Sequence, residues 1–256
     1  MSEAAEPNPL SRLIESRQRP LVGAHRGASA RAPENTLAAF QAALDDGADL
    51  VELDVHLTRD GELAVIHDAR TERVTGVGRV VAETDMKTLR RLDAGRHKGP
   101  EWAERGIGIP ELGDVLALLA GRMLVNVEVK SGMDALPVLA RRIAAYDMAD
   151  KVVVSSFDPE VVRAAGTMEP RVLTGLLLDH AEPDPIKATQ EVGAALLHMT
   201  HRYISPVLVG RAHERGIGAL AWTVNDPTEM RRLAALDVDA ILSDDPRLLR
   251  QTLERD

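Results

Sequence analysis

The sequence predicts an α/β fold: a (β/α)8 TIM barrel with an inserted segment after the second strand. Three observations carry this. Apolar β-type runs alternate with helical segments eight times. Four helices open on an N-cap followed by an N1 proline, at Asp158-Pro159, Ser205-Pro206, Asp226-Pro227 and Asp245-Pro246. The polar residues with chemistry to offer stand where β-type runs end, the face on which such a barrel gathers function.

Strands are expected at 20–24, 50–57, 123–129, 151–155, 172–177, 194–198, 217–222 and 239–242. Helices are expected near 34–46, 111–120, 135–146, 158–168, 184–191, 205–215, 226–236 and 245–254. Gly47, Gly193 and Gly216 fit turns after helices. An open doubly wound sheet is the alternative, but no Gly-rich dinucleotide turn is present. Residues 69–110 break the rhythm with Gly76, Gly78, Gly95, Gly99, Gly106 and Trp102, and read as an insertion over the barrel mouth. Residues 1–256 are expected to form a single barrel domain.

The densest polar chemistry lies between residues 23 and 68. In Leu50–Leu57 the period-two alternation sets Glu52, Asp54 and His56 on one face. Asp60-Gly61 reads as a two-residue hairpin turn. That register pairs Arg59 with Glu62, Leu57 with Ala64 and Asp54 with His67, so His67 is expected beside Asp54. A later apolar strand ends in Glu128-Val129-Lys130.

Composition narrows the function. No apolar run approaches the ~18 residues of a membrane span, so no stable membrane insertion is expected. The N-terminal stretch has no apolar core after a basic start, and a cytoplasmic location fits best. The absence of cysteine excludes disulfides and thiolate metal sites. A net charge of −9 with dispersed acids argues against nucleic acid as partner. Aromatic residues make up only 2%, too few for base stacking or a cage around a quaternary amine.

The motifs His25-Arg26-Gly27, Pro33-Glu34-Asn35-Thr36, Glu52-Leu53-Asp54-Val55, His67-Asp68, Ile109-Pro110, Glu128-Val129-Lys130, Ser155-Ser156-Phe157 and Trp222-Thr223-Val224-Asn225 occur in this order. Together they resemble the glycerophosphodiester phosphodiesterases, over residues 20 to 250 or so. The resemblance implies a barrel with an insertion after the second strand and a small-molecule glycerophosphodiester as substrate. It implies that His25 and His67 are the acid–base pair. Glu52, Asp54 and Glu128 would hold a divalent cation, Mg2+ or Ca2+. Arg26 and Lys130 would bind phosphate, and Trp222 would line the glycerol pocket. Asp245, and His198 through His201, depart from the usual family pattern and bear on the leaving-group side.

Other readings stand beside these. The three acids could form a salt-bridge cluster with Arg26 and Lys130. Glu34 and Asn35 are expected to cap the first helix and brace the His25-Arg26-Gly27 loop. His67, placed beside Asp54, is expected to be the general acid, and His25, next to Arg26, the base. A lysophospholipase D-like activity and a non-catalytic phosphate-binding barrel are the competing functions. Neither oligomeric state nor alcohol headgroup is legible.

Overall fold

The computed structural model describes residues 19–103 and 105–254. Residues 1–18, most of the N-terminal stretch read above for localisation, lie outside the described residues. Among the described residues nine strands form one sheet: β1 (Leu21–Ala24), β2 (Leu50–Leu57), β3 (Leu63–Val65), β4 (Leu124–Val129), β5 (Val152–Ser156), β6 (Leu173–Leu178), β7 (Leu196–Thr200), β8 (Gly218–Trp222) and β9 (Ala240–Ser243). All except β3 pair in parallel, and β1 bonds to both β2 and β9. This closes an eight-stranded barrel, as the alternation of elements predicts.

The α-helices are α1 (Leu37–Asp45), α2 (Glu72–Thr75), α3 (Met86–Leu89), α4 (Leu112–Leu119), α5 (Leu136–Ala145), α6 (Pro159–Ala165), α7 (Pro185–Glu191), α8 (Pro206–His213), α9 (Pro227–Ala235) and α10 (Pro246–Leu253). The expected caps form. Asp158, Ser205, Asp226 and Asp245 each accept a backbone N–H of their helix's first turn, and Asp184 does the same before Pro185. The first helix starts later than expected, because Thr36 caps it and not Glu34 or Asn35.

Inward-facing Leu21, Leu50, Leu124, Val153, Leu196, Leu220 and Ala240 fill the barrel floor. The alternate residues of the same strands pack outward against the helices. This two-sided burial explains why strands such as Val152–Ser156 are apolar with little alternation. Residues 69–110 carry only short elements, α2 and α3 among them. They pack Val74, Val81, Met86, Leu89, Ala94 and Ile109 onto Ala64 and Ile66.

The hairpin register differs from expectation by one residue. The pairs are Val55 with Val65, His56 with Ala64 and Leu57 with Leu63. The loop has three residues, Arg59-Asp60-Gly61, and of these only Gly61 has positive φ, at 77°. Thr58 holds this shape: its hydroxyl donates to Asp60 at 2.7 Å, and its carbonyl accepts Gly61 N–H at 3.1 Å. A type I turn with a glycine bulge has replaced the two-residue turn. A one-residue slip exchanges the faces of a strand. His67 reaches the inner face because β3 ends at Val65, a last bond runs from Ile66 N–H to Asp54 O at 3.0 Å, and the chain then turns off the sheet.

Candidate active site

Three carboxylates meet at the C-terminal ends of two adjacent strands. The ladder pairs Asp54 with Glu128 and Glu52 with Asn126. One oxygen from each of Glu52, Asp54 and Glu128 lies within 4.8 Å of the others, and all three residues are buried. Burial first, then repulsion from Asp54 and Glu128, pushes Glu52 well above the usual carboxylate range. Burial and Asp54 likewise raise Glu128.

Basic groups answer part of this charge. Lys130 Nζ lies 2.7 Å from Glu128 Oε1 and 3.5 Å from Asp54 Oδ1. Arg26 donates its backbone N–H to Glu52 Oε2 at 2.9 Å, and its Nε lies 3.4 Å from Asp54 Oδ2. Burial opposes the charge on Arg26 and Lys130, yet the surrounding carboxylates hold both above their ordinary values. Asp54 Oδ1 still accepts no hydrogen bond among the described residues. Hard oxygen donors on fixed strands, short of positive charge, fit a divalent cation.

The loop after β1 is bent to serve this cluster. Arg26 and Asn35 occupy left-handed backbone at φ 54° and 55°, which asparagine tolerates better than most residues and arginine adopts rarely. Asn35 N–H donates to Arg26 O at 3.0 Å, closing the loop on itself. Its side-chain amide donates to Asp54 Oδ2 at 2.8 Å and its carbonyl accepts Asp54 N–H at 3.3 Å. Glu34 accepts Arg26 Nη1 at 2.9 Å. Although burial works against it, Arg73 and Arg26 hold Glu34 down at about 2.

His25 and His67 each have their own carboxylate. His25 Nδ1 lies 2.7 Å from Asp244 Oδ1, and His67 Nδ1 lies 2.7 Å from Asp68 Oδ1. A carboxylate partner keeps the proton on Nδ1 and frees Nε2 for chemistry. The two carboxylates differ in their remaining partners. Asp244 also binds Ser29 Oγ and Asn225 Nδ2, both neutral. Asp68 also binds the Arg73 guanidinium, with Nε at 2.6 Å. Burial pulls His67 below its ordinary value, against the opposing effect of Asp54 and Asp68. Asp54 favours the charged form of His67 as expected, but burial outweighs it, and Arg73 shares the charge of Asp68.

His25, Arg26, Glu52, His67, Glu128, Lys130 and Trp222 line a cavity of about 290 Å³. Phe157 meets Trp222 edge-on with centroids 5.7 Å apart, and Lys130 Nζ stands 5.7 Å from the Phe157 ring centroid. Sequence reasoning assigned no role to Asp68, Arg73, Asn126 or Asp244. Asp68 and Asp244 carried a signal, one following His67 and the other ending the last strand. Arg73 carried none.

A closed parallel barrel with carboxylate, imidazole and basic groups converging where its strands end is the framework of a barrel enzyme. The chain belongs to the glycerophosphoryl diester phosphodiesterase family, whose model matches residues 25–248. It is 38% identical over 234 residues to a glycerophosphodiester phosphodiesterase of Caldanaerobacter subterraneus subsp. tengcongensis, covering 90% of this chain and 96% of that one. Among solved structures, it resembles an Oleispira antarctica phosphodiesterase in complex with the product sn-glycerol-3-phosphate. There the TM-score is 0.85 and the identity 27%, over 92% of this chain and 97% of that one. It also resembles a glycerophosphodiester phosphodiesterase from Agrobacterium tumefaciens, with TM-score 0.80 and identity 28%, over 90% and 98% of the chains.

Proposed function

We propose that this chain hydrolyses glycerophosphodiesters to sn-glycerol 3-phosphate and an alcohol, dependent on a divalent cation, with His25 and His67 as the acid–base pair. Glu52, Asp54 and Glu128 would hold Mg2+ or Ca2+, which when bound supplies positive charge to the phosphate oxygens. Arg26 and Lys130 add fixed positive charge and orient the phosphate. Asn35 and Glu34 set the orientation of Asp54 and Arg26. Trp222 and Phe157 form an apolar wall for the glycerol carbons.

His67 takes the proton of the attacking hydroxyl, and His25 protonates the leaving oxygen. This order reverses the expectation from sequence. Asp244 has only neutral partners besides His25, whereas Asp68 shares its charge with the Arg73 guanidinium, which favours His25 as the proton donor. Residues 69–110 act as an insertion that steadies the mouth of one barrel domain. Lys98 supports that role by donating to the Ser29 and Ala30 carbonyls.

The observation that carries the reading is two imidazoles, each tied at Nδ1 to a carboxylate, lining one cavity with Glu52 and Glu128. The test is release of glycerol 3-phosphate from a panel of glycerophosphodiesters, before and after exhaustive chelation. Turnover lost with chelator and restored by Mg2+ or Ca2+ is expected. Full turnover by protein shown to be metal-free would overturn the cation's part, and no turnover of any diester would overturn the substrate class.

A further inference from the structure

On the inner side of the same cavity lie polar atoms that the reaction above does not use. Asn126 and His198 line it, and both are at least 99% buried. Asn126 Oδ1 and both His198 ring nitrogens find no hydrogen-bond partner among the described residues. Trp222 Nε1, in the wall of the same cavity, is also without one. Buried polar groups are nearly always bonded, so three such side chains around one space point to a ligand that bonds them.

The three side chains have complementary chemistry. The amide oxygen only accepts, the indole N–H only donates, and a neutral imidazole does one of each. His198 is held neutral by burial, which drives it down to about 3. A hydroxyl suits three of these groups at once: it can donate to Asn126 Oδ1 and accept from Trp222 Nε1–H and from one N–H of His198. Neither a phosphate nor an ammonium can satisfy both sides. Space for the ring is built in, since a Cβ on Gly175 would lie 2.6 Å from His198 Nε2. Below Asn126 and His198, Leu21, Leu50, Leu124, Leu196 and Leu220 form the apolar floor of the barrel.

We infer that Asn126, His198 and Trp222 seat the terminal hydroxyl of the substrate's glycerol group and so select glycerol over other phosphate-bearing alcohols. This rests on the hydrolytic reading above, with phosphate at Arg26 and Lys130 and the glycerol chain running down into the barrel. A bound water would satisfy the same atoms, and the experiment separates the two.

Glycerophosphoethanolamine is compared with its analogue lacking the terminal hydroxyl, the 2-hydroxypropyl phosphodiester of ethanolamine. Wild type is expected to lose roughly a hundredfold in kcat/KM on the analogue, because a seat built for a hydroxyl is left unpaired. In His198→Leu and in the nearly isosteric Asn126→Leu, the two substrates should differ by no more than roughly threefold. If His198→Leu does not fold, Asn126→Leu and the wild-type comparison decide. Equal rates in wild type, or an undiminished ratio in the folded variants, would overturn the seat and leave water as its occupant. Should wild type turn over neither diester, the hydrolytic reading fails, and calorimetry decides the seat by comparing glycerol 3-phosphate with 2-hydroxypropyl phosphate. Equal affinities there would sink it.

Discussion

Arg73 grips Glu34 through both terminal guanidinium nitrogens, at 2.9 and 2.7 Å. Its Nε binds Asp68, so one exposed arginine of the 69–110 segment joins the partner of Arg26 to the partner of His67. A planar fork makes this geometry and a lysine does not. Arg73→Lys is expected to fold normally and to lose roughly 10–100-fold in kcat/KM, the usual range for residues that orient a site from behind. Unchanged kinetics would show that Glu34 and Asp68 hold their positions unaided.

Cation binding should be visible as stability. The Glu52–Asp54–Glu128 cluster is short of positive charge. A cation at a hundredfold excess over its Kd adds about 2.7 kcal/mol, roughly 5–10 °C in Tm for a chain of this size. Mg2+ or Ca2+ should produce that rise in wild type and not in Glu128→Gln. A thermal scan in which both proteins respond alike would move the cation elsewhere.

The division of labour between the histidines can be read from the leaving group. A p-nitrophenyl ester needs little protonation. His25→Ala should be severely slow on glycerophosphoethanolamine, by roughly 10²–10⁴-fold, yet much less impaired on the p-nitrophenyl ester of glycerol 3-phosphate. His67→Ala should be poor on both. The opposite pattern would restore the order expected from the sequence.

Acid stability should depend on Glu34. Its folded value of about 2 lies below its ordinary 4.5, so its stabilising contribution is complete above pH 4.5 or so and is lost as pH falls towards 2. The difference corresponds to about 3 kcal/mol at most. Denaturation of wild type between pH 5 and pH 2 should be correspondingly steeper than that of Glu34→Gln. Parallel curves would mean that the two arginines contribute nothing through Glu34.

Headgroup discrimination should be weak. A second cavity of about 500 Å³ shares His25 with the first and is lined by Ser29, Lys98, Asn225, Asp244 and Asp245, with no Phe, Tyr or Trp among the described residues. Asp244 is taken by His25, and Asp245 caps α10. Choline, ethanolamine and glycerol diesters are expected to differ by no more than roughly tenfold in kcat/KM, about 1.4 kcal/mol. A thousandfold preference would reveal a specific pocket on this side.

The sequence by itself determined the barrel and the convergence of its acids. Strand periodicity is local, so Glu52 and Asp54 had to share a face, and the parallel ladder then set Glu128 beside Asp54. The proline caps fixed helix starts for the same local reason. Tertiary structure decided what depends on partners far along the chain. Asp244 reaches His25 across 219 residues only because barrel closure makes β1 and β9 neighbours. The hairpin register turned on Asp60, which accepts both the Thr58 hydroxyl and the Met86 N–H from the following segment. A two-residue turn was equally compatible with Asp-Gly as a sequence, and only those contacts selected the longer loop and left His67 to turn off the sheet.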